Sequence, residues 1–176
     1  MKFAFTGFWI LMFVTLGLAQ PENKDKKNDT SFSGLWVLDK PKSDTGLGLK
    51  VQFNDVMLVV VQDEHEIKMT TKTKRNGENI IEEKIYYLDG REEDSSKGKD
   101  EDTKTSTKWN GKKLVILRKN VVRALTIGGS HPTMETKEEW EISKDGNTLT
   151  QTISGTGLPN MAAPPKSKFV YARNYF

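Results

Sequence analysis

The sequence contains no cysteine among its 176 residues. This absence excludes disulfide bonds, thiol catalysis and thiolate metal sites. It also excludes a lipid attached through an N-terminal cysteine. A chain without disulfides must be held together by its hydrophobic core, and a chain of this length is long enough to build one.

Histidine is scarce as well, with only His65 and His131. Both lie in predicted turns or loops, where a solvated imidazole is the usual case. Ser130 next to His131 is not a triad, because the base must reach the hydroxyl from elsewhere in the fold. The sequence has no His-x-x-x-His pair, nucleophile elbow or phosphate-binding loop. We therefore predict no catalytic residue, no metal site and no cofactor.

Neither sign of charge dominates, since 27 basic residues face 24 acidic ones and the net charge is +3. The charges are interspersed along the chain, whereas a face that binds a phosphate backbone needs clustered Lys and Arg. The sequence thus argues against nucleic acid as a partner.

Long apolar runs are confined to the N-terminus. A single basic residue, Lys2, precedes the almost uncharged stretch 3–18, and the small residues Gly17 and Ala19 follow at its end. This pattern predicts a secretory signal peptide over residues 1–19. A membrane anchor is the alternative, because the run is near the lower limit of roughly 17 residues for a spanning helix.

Residues 20–31 are polar and lysine-rich, which predicts a disordered linker. The remaining residues, 32–176, have the length of a single domain, and we predict one domain there. We expect a secreted or periplasmic protein that has no stable membrane span after signal cleavage. Its oligomeric state cannot be read from the sequence.

Tight turns recur throughout residues 32–176. Four Asx-Gly pairs, which tolerate the positive φ angles of short hairpins, predict an antiparallel meander. The runs between them are rich in Thr, Val and Ile and alternate with period 2. We therefore predict an all-β fold, a single antiparallel up-and-down β-barrel of about 8–10 strands. The pairs are Asn76-Gly77, Asp89-Gly90, Asn110-Gly111 and Asp145-Gly146. The candidate strands are 34–39, 56–62, 66–74, 79–88, 103–109, 112–118, 121–127, 133–142, 148–153 and 167–173.

Alternation also predicts which side chains face the barrel interior. Glu83 and Glu138 fall on nominally inner faces, and we expect them to lie near barrel ends, reach water or meet an inward arginine such as Arg118 or Arg123. The other inward residues predicted for three strands are Ile67, Met69, Thr71, Ile81, Ile85, Tyr87, Met134, Thr136, Trp140 and Ile142.

One part of the barrel wall is unusual, because residues 91–108 contain no apolar side chain and carry acidic runs at 92–94 and 100–102. A strand that lines a dry lumen needs inward apolar residues. The segment therefore predicts either a solvated loop followed by an edge strand, or a gap that admits a ligand. A second long loop, 155–165, is a candidate lid or a simple connector.

Four short motifs carry a resemblance to a known family. They are Gly34-x-Trp36, Leu88-Asp89-Gly90, Trp109-Asn110-Gly111-x-x-Leu114-x-Ile116, and Trp140-x-Ile142-Ser143-x-Asp145-Gly146-x-Thr148-Leu149. In these the sequence resembles the lipocalin-like secreted proteins of bacteria, which belong with the calycins. The resemblance implies that Trp36 packs across one end of a barrel as a structural plug, with Arg173 stacked on it.

Three functions remain open at this point. The first is binding of a small apolar or amphipathic ligand in the barrel lumen. The second is a non-enzymatic structural or interaction protein of the cell envelope with a filled barrel. The third, an outer-membrane barrel, is disfavoured because the outward faces carry Lys and Glu. The candidate lumen residues are Met69, Ile85, Tyr87, Leu125, Met134, Trp140, Phe169 and Tyr171.

Overall fold

The computed structural model describes residues 31–46, 54–75, 77–97, 101–123, 125–158 and 161–175. The predicted signal peptide and all but the last residue of the predicted linker lie outside these residues and stay predictions. The described chain forms ten strands. They are β1 (Gly34–Leu38), β2 (Asn54–Gln62), β3 (Glu66–Arg75), β4 (Glu78–Tyr87), β5 (Glu92–Lys97), β6 (Glu101–Asn110), β7 (Lys113–Val122), β8 (Thr133–Ile142), β9 (Thr148–Gly155) and β10 (Ser167–Asn174).

The strands form one antiparallel sheet in the order β4-β3-β2-β1-β10-β9-β8-β7-β6-β5. Each strand pairs with its neighbour in the chain, except that β1 pairs with β10 and β4 does not pair with β5. This confirms the predicted all-β up-and-down fold. Within the described residues, hydrogen bonds do not close the sheet between β4 and β5, although β4 and β6 approach each other there.

Two strand predictions were wrong. Residues 112–118 and 121–127 were expected to form two strands, but β7 runs unbroken to Val122, and Ile127 makes only an isolated bridge with Ser130. The polar residues in the middle of β7 do not interrupt it, because β6 and β8 pair with it on both sides.

The acidic segment after the Asp89-Gly90 turn also forms a strand, β5, for which none was predicted. It is an edge strand that pairs only with β6 in the part of the chain that the structure describes. The Glu92 carboxylate lies 3.3 Å from Lys119 Nζ and 3.6 Å from Lys104 Nζ. An edge strand with charged side chains avoids pairing with other chains, so the lack of apolar residues here is compatible with a strand.

The face assignment of β4 was also wrong, by one residue. Tyr86 is buried, whereas Ile81 and Ile85 are 60% and 49% exposed. Glu83 is likewise exposed. Ile81 and Ile85 each lie beside a lysine of β3. Period-2 alternation predicts two faces but does not by itself say which one is inner when both carry apolar residues.

The strand directions place four short turns at one end of the barrel and the long loops at the other. The four turns are 63–65, 88–91, 111–112 and 143–147. The loops at the opposite end include 123–132 and 156–166, and the latter contains most of the candidate lid. We call these the turn end and the loop end. Among the described residues the only helical segment is the 3-10 turn Lys40–Lys42, and no helix there is long and apolar enough to cross a membrane.

Aromatic side chains fill the turn end. Phe32, Trp36 and Trp140 are fully buried. The Phe32 ring stacks on Trp109 at 5.6 Å and meets the edge of Trp140 at 5.7 Å. The indole of Trp36 donates to the Phe32 carbonyl at 2.9 Å. Buried aromatic clusters of this kind contribute much of a small domain's apolar burial.

Arg173 lies over the Trp36 ring, with its guanidinium carbon 4.2 Å from the ring centroid. It also donates to the Ser33 carbonyl and the Gly146 carbonyl, both at 2.8 Å. Gly34 leaves room for this arrangement. A Cβ at Gly34, whose φ is +147°, would lie 2.6 Å from Arg173 Nη1.

We expect Gly34→Ala to lower the free energy of unfolding by about 2–4 kcal/mol, because it displaces Arg173 from Trp36 and strains the backbone. Gly77→Ala is the matched control, since its φ is +87° but its Cβ would meet nothing within 4 Å. The control should cost only about 1–2 kcal/mol. Urea unfolding measures both, and equal losses would contradict the role given to Gly34.

Acid should destabilise the turn end. Asp63 accepts from the amides of His65 and Glu66, both at 2.8 Å, and these bonds lower its pKa below the ordinary value. The Ser143 hydroxyl and the Asn147 amide likewise lower the pKa of Asp145. Because the folded pKa lies below the unfolded one, this stabilisation is present above the unfolded pKa and is lost as the pH falls through the folded pKa.

The thermal midpoint should therefore fall between about pH 5 and pH 2. The double variant Asp63→Asn and Asp145→Asn should show a smaller fall, because an amide accepts the same bonds without titrating. Scanning calorimetry across this range measures the difference, and identical pH profiles would contradict it.

Candidate ligand cavity

An open cavity of about 370 Å³ lies in the barrel interior, on the loop-end side of the aromatic cluster. Its volume is near the lower end of the range for ligand pockets, roughly 300–1,000 Å³. Seven strands contribute to its wall, and the lining mixes apolar with polar side chains. The lining residues are Leu58, Met69, Thr71, Lys84, Tyr86, Arg118, Glu138, Gln151, Ile153 and Tyr171.

An ion pair crosses the wall between β7 and β8. Arg118 Nη1 lies 2.7 Å from Glu138 Oε2. The Arg118 side chain is 24% exposed and that of Glu138 is 7% exposed. The expectation that Glu138 would meet an inward arginine is thus confirmed for Arg118, whereas Arg123 pairs with Asp102.

Two aromatic side chains complete the bonding of this pair. Arg118 Nη2 donates to the Tyr86 hydroxyl at 3.0 Å. The indole of Trp140 donates to Glu138 Oε1. Both carboxylate oxygens of Glu138 therefore have a donor, as a buried carboxylate requires.

The pKa values follow from this environment. Burial raises the pKa of Tyr86 to about 12, and the Glu138 carboxylate adds to the rise. Burial alone would lower the pKa of Arg118, but the Glu138 carboxylate and Tyr86 together raise it above its ordinary value. Burial, with the charge of Glu138, raises the pKa of Tyr171 as well. Both tyrosines are therefore neutral hydroxyls and Arg118 is a cation at every physiological pH.

Two other buried polar side chains face the cavity. Gln151 is 6% exposed and Tyr171 is 5% exposed. In the described part of the chain, neither side chain has a hydrogen-bond partner, and both line the cavity. Buried polar groups in folded proteins are nearly always bonded to protein, water or ligand. Neither side chain has a fully buried polar atom that lacks a partner, so the polar atoms of both are open to the cavity. The cavity thus offers two polar groups that water or a ligand can bond.

Two of the predicted lumen residues, Met69 and Tyr171, line this cavity. Trp140 is buried in the aromatic cluster, and Phe169 packs against the same core. Met134 is half-buried on β8 near the loop end. The structure does not bring the other three to the interior.

Ile85, Tyr87 and Leu125 were wrongly placed on the inner wall. Ile85 and Tyr87 lie on the outward face of β4, where Arg91 stacks on the Tyr87 ring at 3.8 Å. Leu125 lies in the loop 123–132 and is 40% exposed, because the strand predicted there does not form.

The lumen residues predicted from the sequence are apolar or aromatic, so they do not include the polar half of the cavity wall. Thr71 was predicted to face inward, and Arg118 was named as a partner for Glu138, but neither was taken as a ligand contact. Gln151 was missed, although its two-residue spacing from the apolar Leu149 and Ile153 places it on the inner face. Lys84 and Tyr86 were missed because the face of β4 was inverted.

The order of the strands and the interior cavity define an antiparallel up-and-down β-barrel, so the fold class predicted from the sequence is confirmed. No known protein family matches the sequence, and no well-characterised protein matches it either. The comparison with solved structures does find matches, and they show the fold alone.

Three solved structures illustrate the likeness. Secretory abundant heat soluble protein 4 from Ramazzottius varieornatus superposes with a TM-score of 0.53 at 15% identity, over 81% of this chain and 94% of its own. A mutant of the fluorescent protein UnaG has a TM-score of 0.50 at 17% identity, over 82% of this chain and 97% of its own. A mutant of the REP1-NXSQ fatty acid transporter has a TM-score of 0.50 at 13% identity, over 81% of this chain and 97% of its own.

The buried ion pair yields a stability prediction. Glu138→Ala should lower the free energy of unfolding by about 3–5 kcal/mol, because it leaves Arg118 without a counter-charge and Trp140 without an acceptor. Glu139→Ala is the matched control. Glu139 is adjacent on the same strand, but it faces outward and pairs with the exposed Lys137 at 3.1 Å.

The control should change stability by no more than about 0.5 kcal/mol. Urea unfolding of both variants measures the difference. A loss at Glu138 no larger than that at Glu139 would show that the interior pair is solvated.

Proposed function

We propose that the chain is a secreted or periplasmic, non-enzymatic binding protein that holds a small apolar or amphipathic molecule in the barrel interior. The cavity is the observation that carries this proposal. It has the size of a ligand site, and Leu58, Met69 and Ile153 give it apolar surface beside the polar groups. A wall of this mixed kind suits a ligand with an apolar body and a polar end.

Export is supported by the sequence pattern of residues 1–19. A bacterial source is part of this proposal, and it is supported only by the resemblance of the sequence motifs. The absence of nucleic acid as a partner follows from the interspersed charges.

One of the similar structures is in keeping with a binding role, since it is described as a fatty acid transporter. At 13% identity this likeness carries no ligand over to the present chain. The class of ligand must therefore come from the cavity itself.

A filled barrel with a structural or interaction role is the second candidate. The aromatic cluster favours it at the turn end, where Phe32, Trp36, Leu114 and Trp140 are all fully buried. The loop-end half of the interior argues against it, because a filled barrel leaves no cavity there and this one leaves about 370 Å³.

An uncharged fluorescent probe, Nile red, tests the binding role. We expect it to bind the native protein saturably, and we expect Ile153→Trp to weaken binding on the order of tenfold, about 1.4 kcal/mol, because the larger ring fills the cavity. Fluorescence titration measures both.

Thr152→Trp is the matched control, since residue 152 is next on β9 and so points to the opposite side of the sheet. It should leave the affinity unchanged. Absence of saturable binding, or equal binding by both variants, would contradict a ligand site in this cavity.

A further inference from the structure

We propose that the cavity selects a ligand whose polar end is uncharged, such as an alcohol, ester or amide, over a carboxylate. This inference rests on the proposed binding function and names the class of ligand. It comes from the way charges are paired inside the barrel.

Arg118 is one of two cations that line the cavity, and its charge is already compensated. The Glu138 carboxylate accepts from one terminal nitrogen of Arg118 at 2.7 Å, and the Tyr86 hydroxyl accepts from the other at 3.0 Å. Each of these nitrogens keeps a second N–H, so an entering acid could still bond to Arg118, but it would meet a guanidinium whose charge Glu138 already compensates.

The Glu138 carboxylate is held in place by hydrogen bonds and is not easily displaced from Arg118. Its Oε1 accepts from the indole of Trp140 and its Oε2 accepts from Arg118. The carboxylate is held by two strands and is almost fully buried. A ligand carboxylate beside Arg118 would bring a second negative charge next to the almost fully buried Glu138, and two like charges this close disfavour each other.

The third charged residue of the lining is Lys84. It lies on the edge strand β4 and is exposed to solvent. A solvated ammonium of this kind contributes little to binding an anion. The lining therefore lacks a desolvated, uncompensated cation in the described residues.

Gln151 and Tyr171 point instead to an uncharged polar group. Both are more than nine-tenths buried, both line the cavity, and neither has a hydrogen-bond partner in the described chain. An amide and a phenol can each donate and accept hydrogen bonds. They match a ligand hydroxyl or carbonyl without requiring charge on either side.

The experiment compares 1-decanol with decanoate as competitors of Nile red at pH 7.5, where a carboxylate with an ordinary pKa is ionised. We expect decanol to displace the probe from the native protein at a concentration about tenfold lower or better. Glu138→Gln leaves Arg118 uncompensated, so it should shift the decanol-to-decanoate ratio toward decanoate by about tenfold. The two ligands' different solubilities cancel when this ratio is compared between proteins.

Glu139→Gln is the matched control on the outward face and should leave the ratio unchanged. Tyr171→Phe should weaken decanol binding about fivefold, as expected for one lost hydrogen bond. Tyr175→Phe, which removes an exposed hydroxyl bonded to Asn147, should leave it unchanged. Circular dichroism and urea unfolding show whether each variant folds. If Glu138→Gln does not fold, the ratio measured for the native protein and the loss of decanol affinity in Tyr171→Phe test the inference.

Decanoate binding as tightly as decanol to the native protein would overturn this inference and leave the binding function standing. So would an unchanged ratio in folded Glu138→Gln. Saturable Nile red binding that neither ligand displaces would also overturn the inference alone. Failure of Nile red, decanol and decanoate all to bind would overturn both proposals.

Discussion

The ladder between β1 and β10 is the constraint on which the rest of the structure depends. It joins Leu35 to Asn174 and Leu38 to Tyr171, and within the described residues it is the only ladder of strands between the four-stranded part of the sheet and the six-stranded part. The isolated bridge between Asp44 and Lys168 extends it. Both parts otherwise consist of hairpins between neighbouring strands. Arg173 reinforces this seam, because it bonds to the backbone on both sides of it and covers Trp36.

The interior changes character along the barrel axis. At the turn end it is a packed aromatic cluster, where the residues stabilise the fold by burial. Toward the loop end the wall carries Arg118, Glu138, Gln151 and Tyr171 around a cavity. A buried ion pair is weak evidence of a stabilising role, since apolar side chains of the same volume often stabilise a fold as well or better. Here the pair forms part of the cavity wall, so its charges set the polarity of that wall.

The sequence predicted the fold where local chemistry dictates structure. The Asx-Gly turns and the period-2 runs are sufficient for an antiparallel meander, and Thr133–Ile142 was predicted with the observed bounds. Contact between Trp36 and Arg173 was expected from the motif resemblance alone, and the structure places the two side chains together. That contact depends on a ladder between the two ends of the chain, which periodicity does not reveal.

The candidate site was less predictable, for physical reasons. On β4 both faces carry apolar side chains, so the pattern around Ile85 and Tyr86 is ambiguous until β3 sets the inner face. On β5 and β7 charged residues lie within strands because their partners on β6 and β8 supply the backbone hydrogen bonds. Lining residues such as Gln151 are polar, so a prediction that looks for apolar lumen residues does not include them.

The gap between β4 and β5 makes the turn at Asp89-Gly90 dispensable for the sheet. Residues 88–91 join two strands that share no ladder in the described chain, whereas the first and last strands, β1 and β10, lie side by side and pair Leu35 with Asn174. A circular permutant that joined those strands and opened the chain at Asp89-Gly90 would keep every ladder of the sheet. Its two new termini would be β4 and β5, and the present seam between β1 and β10 would become an ordinary hairpin.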